Sequence, residues 1–356
     1  MLKAFFSVLS SIIIFISSYT GLFSSQVKTV QTITKVEDGF YLMDYQFDYN
    51  LPKMLENGVS SHVKLITDGL RNVFDTKLDF GCTTFNSITE GGDYLLSRNF
   101  DYMDAPYMLL WTHPSYGYES ISSVSLAFLG YSESFLPEDV ASSALTLLAP
   151  YTCLDGVNEK GLSIGVLELE KAPTFQLRAG KPSLTTTTMI RACLDTAATV
   201  DEAIALFNKY NIRDYLFGEC TYHYHIADAT GKSVVIEYVD GKISLIYPEE
   251  NSENAVNYQC ATNFYLTPGV DDPDGMGQDR YETAITALTA SKGVTSEKEA
   301  MDILESCSML DADLHGYICS TLWSCVYNCT DKTVNVVHYL DYENTYTFSV
   351  DKPLEY

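Results

Sequence analysis

The run Gly81-Cys82-Thr83-Thr84-Phe85, the turn residues Glu90-Gly91-Gly92-Asp93 and the run Ser97-Arg98-Asn99-Phe100-Asp101-Tyr102 constrain this chain more than any other feature. Two such runs around a glycine pair read as a β-hairpin, because glycine accepts the left-handed backbone that a tight turn needs. A two-residue Gly91-Gly92 loop pairs Glu90 with Asp93 and, counted back along both strands, sets Cys82 opposite Asp101. The same count gives Arg98 the parity opposite to Asp101, so that it reaches the sulfur only through a bulge or a long side chain. A cut between Gly81 and Cys82 would leave one residue carrying both a nucleophilic sulfur and a basic α-amine. Asp101 would then be placed to hold the ammonium.

Around this hairpin, strand blocks alternate with helix pairs. Residues 26 to 81 read as a separate region, with an alternating stretch at Tyr41 to Phe47 and a helix from Leu51 to about Phe74. Strand hairpins follow through Cys82 to Asn99 and Tyr151 to Leu169. Helices are expected at about Thr187 to Ala197 and, from a Thr199-x-x-Glu202 capping pattern, to Tyr210. Next comes an antiparallel meander of Thr221 to Ala227, Ser233 to Tyr238, Lys242 to Tyr247 and Tyr258 to Thr262. Helices at Asp279 to Ala290 and Glu297 to Ser306 precede three final strands near Ser320 to Tyr327, Thr333 to Leu340 and Thr345 to Val350. Strand blocks between helix pairs imply an α+β chain of two packed sheets covered by helices.

Further segments extend the pattern: Leu154-Asp155-Gly156-Val157-Asn158-Glu159-Lys160-Gly161-Leu162, Cys260-Ala261-Thr262-Asn263, Gln278-Asp279-Arg280-Tyr281 and Thr321-Leu322-Trp323-Ser324-Cys325-Val326-Tyr327. With an arginine sixteen and an aspartate nineteen residues after Cys82, the chain resembles the cysteine N-terminal-nucleophile amide hydrolases. These are the choloylglycine hydrolase and penicillin V acylase group, with acid ceramidase and N-acylethanolamine amidase as relatives. Several ordered matches from Cys82 to the C-terminus are more specific than any one motif.

The resemblance implies a four-layer αββα sandwich of two antiparallel sheets and a catalytic domain over 82–356. It also implies a pro-segment over 26–81 that self-cleavage releases from the catalytic part while it stays associated. It makes Cys82 the nucleophile, Asp101 the orienter of its amine, and Arg98 the cation beside the thiolate. Asn263, with the backbone N–H of Glu168, becomes the oxyanion hole, and Arg280 completes the polar network, paired with Glu168. Glu168 stands where bile-salt hydrolases carry asparagine and penicillin V acylases tyrosine, closer to the ceramidase branch. Tyr102, Met103, Tyr107 and Met108 are read either as an acyl-chain pocket or as plain core.

The expected substrate is a small N-acyl amide, with no metal and no cofactor. An acyltransferase built on the same acyl-enzyme and a bile-salt hydrolase proper are the alternatives, and a non-catalytic surface protein is the most distant. A papain-like protease would need a histidine in a recognisable motif, and none of the six histidines sits in one. His223 and His225 share a strand face and read as a packed pair in the absence of a third metal ligand in register.

With 47 acidic against 22 basic residues the 356-residue chain carries a net charge of −25, which opposes nucleic acid and anionic membrane as partners. Residues 1–25 read as an export signal or an uncut N-terminal anchor, the one expected route to a membrane, which places the body outside the cytoplasm. Nine cysteines leave eight that could pair once Cys82 is set aside, with no pairing implied. Homo-oligomer formation is left open.

Overall fold

The computed structural model describes residues 23–58, 81–169, 180–213, 221–248, 257–314 and 316–356. Residues 1–22 of the expected export segment and most of the long helix beyond Leu51 fall outside them. Helix α1 (Phe23–Val30) leads into strands β1 (Thr34–Glu37) and β2 (Phe40–Tyr45) and a short helix α2 (Leu51–Asn57). Strands β3 (Gly81–Ile88), β4 (Tyr94–Tyr102), β5 (Tyr107–Thr112), β6 (Ser120–Ser125), β7 (Asp155–Asn158) and β8 (Ser163–Leu169) follow. The two-residue β9 (Ser183–Leu184) precedes helices α3 (Thr186–Thr196) and α4 (Val200–Lys209) and the equally short β10 (Asn211–Ile212). Strands β11 (Thr221–Ala227), β12 (Ser233–Val239), β13 (Lys242–Ile246) and β14 (Cys260–Ala261) lead to helices α5 (Gln278–Ala290) and α6 (Glu297–Ser306). The chain closes with β15 (Ala312–Leu314), β16 (Tyr317–Asn328), β17 (Thr333–His338) and β18 (Tyr346–Ser349).

Two large sheets result. The first runs β1-β2-β5-β6-β7-β8-β11-β12-β13, and the second β14-β3-β4-β16-β17-β18 with β15 attached to β16. Aromatic side chains fill the space between them, with Trp323 stacked on both Phe100 (4.1 Å) and Tyr107 (4.8 Å). Helices α5 and α6 cover the outer face of the second sheet, where Ala284, Leu288, Ala300, Met301 and Leu304 meet Phe85, Leu95, Val326 and Val337. Helix α3 lies on the first sheet, and the Asn158 side chain donates to the Leu194 and Ala197 carbonyls at its C-terminal end (both 2.8 Å). The layers are therefore helix, sheet, sheet, helix.

Several expectations change. The hairpin loop has three residues, because Thr89 N–H donates to the Asp93 carbonyl (2.8 Å) and Gly92 takes the left-handed conformation (φ 96°). The register moves by one: Cys82 lies opposite Phe100, Gly81 opposite Asp101, and Thr84 opposite Arg98. One residue of slip exchanges the faces of a strand relative to its partner, so Cys82 and Arg98 share a face and no bulge is needed between them. The segment near Tyr258 to Thr262 does not extend the meander; its β14 crosses to the second sheet and pairs with β3 at Cys260↔Phe85. Part of the 26–81 region lies within the first sheet. Strand β2 pairs in parallel with β5 from Phe40↔Tyr107 to Tyr45↔Thr112, which makes it an internal strand of the first sheet.

The eight described cysteines are all buried; Cys220 lies outside the described residues. No helix among the described residues is long and apolar enough to cross a membrane.

Candidate active site

The register correction brings the sulfur and the guanidinium together. Arg98 Nη2 donates to Cys82 Sγ at 3.3 Å, while Nη1 reaches the Asp155 carboxylate (2.7 Å) and the Leu154 carbonyl (2.7 Å). All three side chains are inaccessible to solvent. Asp155 is itself held by Trp323 Nε1 (3.2 Å) and the Tyr327 hydroxyl. A guanidinium is a rigid planar fork, so fixing one arm on Asp155 aims the other at the sulfur. Cys82 Sγ also points at the Val166 carbonyl (3.6 Å), which accepts a thiol proton and would repel a thiolate. Burial pushes the Cys82 thiol up to about 12 against the pull of Arg98, so in the uncut chain the sulfur is protonated.

The other face of β3 and β4 holds the carboxylate. Asp101 accepts from Thr321 Oγ1 (2.5 Å) and lies 3.4 Å from Arg280 Nη1. Burial raises its pKa, with Arg280 and Thr321 pulling the other way. Gly81 is required here for space: a Cβ on it would sit 2.9 Å from Asp101 Oδ2 and 3.3 Å from Met309 Sδ. Without a side chain, the carboxylate closes against the peptide that precedes Cys82.

Asn263, just beyond β14, joins the two faces. Its Oδ1 accepts the Cys82 N–H (2.8 Å) and Arg280 Nη2 (2.8 Å), and its Nδ2 donates to the Glu168 carbonyl (3.0 Å). In the uncut chain the expected amine partner, Asp101, thus flanks Gly81, and the Cys82 nitrogen is bound by Asn263. Glu168 contributes its carbonyl to Asn263, and the carboxylate that Arg280 meets is Asp101, where the sequence suggested Glu168. Arg280 also donates to the Cys82 carbonyl. It occupies the first turn of α5, the positive end of the helix dipole, so helix electrostatics disfavour a cation there. Four acceptors around one guanidinium, Thr83 Oγ1 (3.2 Å) being the fourth, offset that cost. A cavity of about 290 Å³ opens beside it, lined by Arg280, Cys307 and Met309 among others.

Three of the four candidate acyl-pocket residues, Tyr102, Tyr107 and Met108, are core. Tyr107 stacks on Phe40 (4.9 Å) and Trp323, and Met108 is wholly buried in β5; both are core. Tyr102 packs on Phe100 and Phe128, and Met103, next along the chain, is half-buried. Asp155 and Thr321 are members of this polar cluster that motif reading did not single out. Both lie inside the segments quoted for the resemblance, as polar residues in otherwise apolar strands. His225 bonds Thr84 Oγ1 and Ser233 Oγ (both 2.9 Å), away from the sulfur.

The layered fold is that of solved amide hydrolases. Penicillin V acylase from Agrobacterium tumefaciens superposes with a TM-score of 0.53 at 20% identity, covering 76% of this chain and 87% of that one. A variant of conjugated bile acid hydrolase from Clostridium perfringens gives 0.54 at 15% identity, covering 77% of this chain and 97% of that one. Penicillin V acylase from Pectobacterium atrosepticum is 35% identical over 117 residues, which span 31% of this chain and only 29% of that enzyme. The family model of linear amide C-N hydrolases, choloylglycine hydrolase family, matches residues 82–265. The chain belongs to that family.

Proposed function

We propose that this chain hydrolyses a small N-acyl amide with the sulfur of Cys82, after exposing the Cys82 α-amine by cutting its own Gly81–Cys82 bond. The observation that carries this reading is the two-sided grip on one residue, with Arg98 on the sulfur and Asn263 on the nitrogen. The family match also begins at Cys82, in keeping with a mature chain that starts there.

In the cut, Sγ attacks the Gly81 carbonyl carbon and gives up its proton. The C–N bond then breaks, and the nitrogen takes a proton to become an amine. Water hydrolyses the resulting thioester, leaving a Gly81 carboxylate and a free thiol. An α-amine titrates near pH 8, against about 8.5 for a free thiol, so it accepts the thiol proton near neutrality as no amide nitrogen can. Arg98 stabilises the thiolate, which attacks the acyl carbonyl. Asn263 Nδ2 donates to the oxyanion, the amine returns the proton to the leaving nitrogen, and water releases the acid from the acyl-enzyme. The N-terminal part stays bound after the cut, because β2 is an internal strand and Tyr49 is hydrogen-bonded to Asp195 (2.6 Å).

Acid quenching during turnover of a panel of N-acyl substrates, followed by intact-mass analysis, tests the reading. The expected result is an acyl adduct on the fragment that begins at Cys82, for the substrates whose amine is released. Amine release undiminished in Cys82→Ala would overturn it.

A further inference from the structure

Asn263 is held from behind by a buried pair that takes no part in the scheme above. His223 in β11 and Glu237 in β12 lie one step beyond the paired residues Tyr224 and Ile236, and neither is accessible to solvent. His223 Nε2 meets the Thr262 carbonyl (2.7 Å), the residue before Asn263, and Nδ1 meets Glu237 Oε1 (3.1 Å). Glu237 accepts three further bonds from the far end of the same segment: Leu266 N (2.8 Å), Thr267 N (2.9 Å) and Thr267 Oγ1 (2.6 Å). Two side chains of the first sheet therefore grip residues 262–267 at both ends.

The bonding follows from the partners. A carbonyl can only accept, so Nε2 carries a hydrogen. The Leu266 and Thr267 N–H groups and the Thr267 hydroxyl donate to the Glu237 carboxylate, and His223 Nδ1 is its fourth partner. Although burial opposes the charge, the bond and charge of His223 and the bonds from Leu266 and Thr267 outweigh it and bring the Glu237 pKa below its ordinary value. A buried histidine–carboxylate pair is a poor device for stability, since apolar residues of similar volume often do as well. What it does here is fix the direction of a backbone. Bonding the Thr262 carbonyl sets the peptide plane from which Asn263 departs.

We infer that His223 and Glu237 are positioning residues for the reaction: their buried pair clamps the 262–267 segment so that Asn263 presents its amide to the Cys82 nitrogen and to the reacting carbonyl. This rests on the oxyanion role proposed for Asn263.

The test is a double-mutant cycle. His223→Gln, and the milder Thr267→Val, are each made in the wild type and in Asn263→Ala, and kcat and KM for a chromogenic N-acyl anilide are measured per cut, folded molecule. Asn263→Ala should lower kcat by roughly 10²- to 10³-fold, the scale of one lost oxyanion donor. His223→Gln should lower kcat by roughly 10- to 100-fold with KM within about 2-fold, and Thr267→Val by roughly 3- to 10-fold. Neither should change kcat by more than about 2-fold once Asn263 is gone. The same fold-loss in both backgrounds would overturn the inference and leave the Asn263 role standing. An Asn263→Ala enzyme with undiminished kcat would overturn both. If His223→Gln does not fold, Thr267→Val decides by the same criterion.

Discussion

Two of the buried arginine–aspartate pairs in the described residues do different things. Arg98 and Asp155 lie between the sheets, 2.7 Å apart. Arg191 and Asp195, 2.8 Å apart on successive turns of α3, lie under the N-terminal part of the chain. In the second pair every arm ends on a stable partner. Asp195 accepts the Tyr49 hydroxyl, and Arg191 reaches Ser120 and Ser122 and sits over the Tyr49 ring. In the first, the carboxylate is equally well satisfied, but one arm of the guanidinium is spent on a thiol. Chemistry therefore shows in what the pair leaves over. A closed pair is architecture; a pair with one arm on the thiol proposed as the nucleophile has an arm left for chemistry.

The largest expected contrast comes from removing each arginine. Arg98→Met and Arg191→Met both strand a buried carboxylate, which costs about 3 to 5 kcal/mol in urea unfolding. Only Arg98→Met should also lower kcat per folded molecule, by roughly 10² to 10⁴, the range for a group that acts on proton transfer or the nucleophile. Replacing both partners with apolar residues sharpens the difference. Arg98→Met with Asp155→Leu, and Arg191→Met with Asp195→Leu, should each recover most of the stability, but activity should return only in the second. Activity restored in both would erase the distinction.

Smaller effects follow from pH. Burial raises the Asp195 pKa from 3.8 to about 6 against the pull of Arg191. The folded chain thus holds this proton more tightly than the unfolded one. Its contribution is complete below about pH 4 and is lost as pH rises through about 6. Relative to Asp195→Asn, the wild type should gain stability on acidification across that window, by at most about 3 kcal/mol. A flat difference between the two unfolding curves would show that Asp195 does not titrate there.

The smallest predicted loss is that of Tyr49→Phe. It removes one hydrogen bond to a buried carboxylate, about 1 to 3 kcal/mol, and should release the N-terminal part from the rest at lower urea with kcat unchanged. Release at the wild-type urea concentration would place the N-terminal anchoring elsewhere.

Most elements were legible because their signals are local. Ser296 and Glu299 form a reciprocal capping box at the start of α6, and Thr199 accepts from the Glu202 N–H at the start of α4. The hairpin itself was legible, but its register was not. A Gly-Gly pair serves a two- or a three-residue loop, and that single residue decides whether Cys82 faces Arg98 or Asp101. Strand partners were equally hidden. Residues 260–261 look like a continuing meander, and only long-range packing sends them to the other sheet beside β3. Asp155 escaped notice because its partner lies 57 positions earlier in the chain, with no spacing rule between them. The same distance problem made His223 look like one of a pair with His225, when its partners are Glu237 and Thr262.

The central claim is that the Gly81–Cys82 bond is cut by the Cys82 sulfur. N-terminal sequencing and intact mass of purified wild type beside Cys82→Ala test it directly. The account predicts a fragment beginning at Cys82 in the wild type, co-purifying with the N-terminal part, and an intact chain in Cys82→Ala. An active wild type with the Gly81–Cys82 bond intact, or a cut of equal extent in Cys82→Ala, would contradict it.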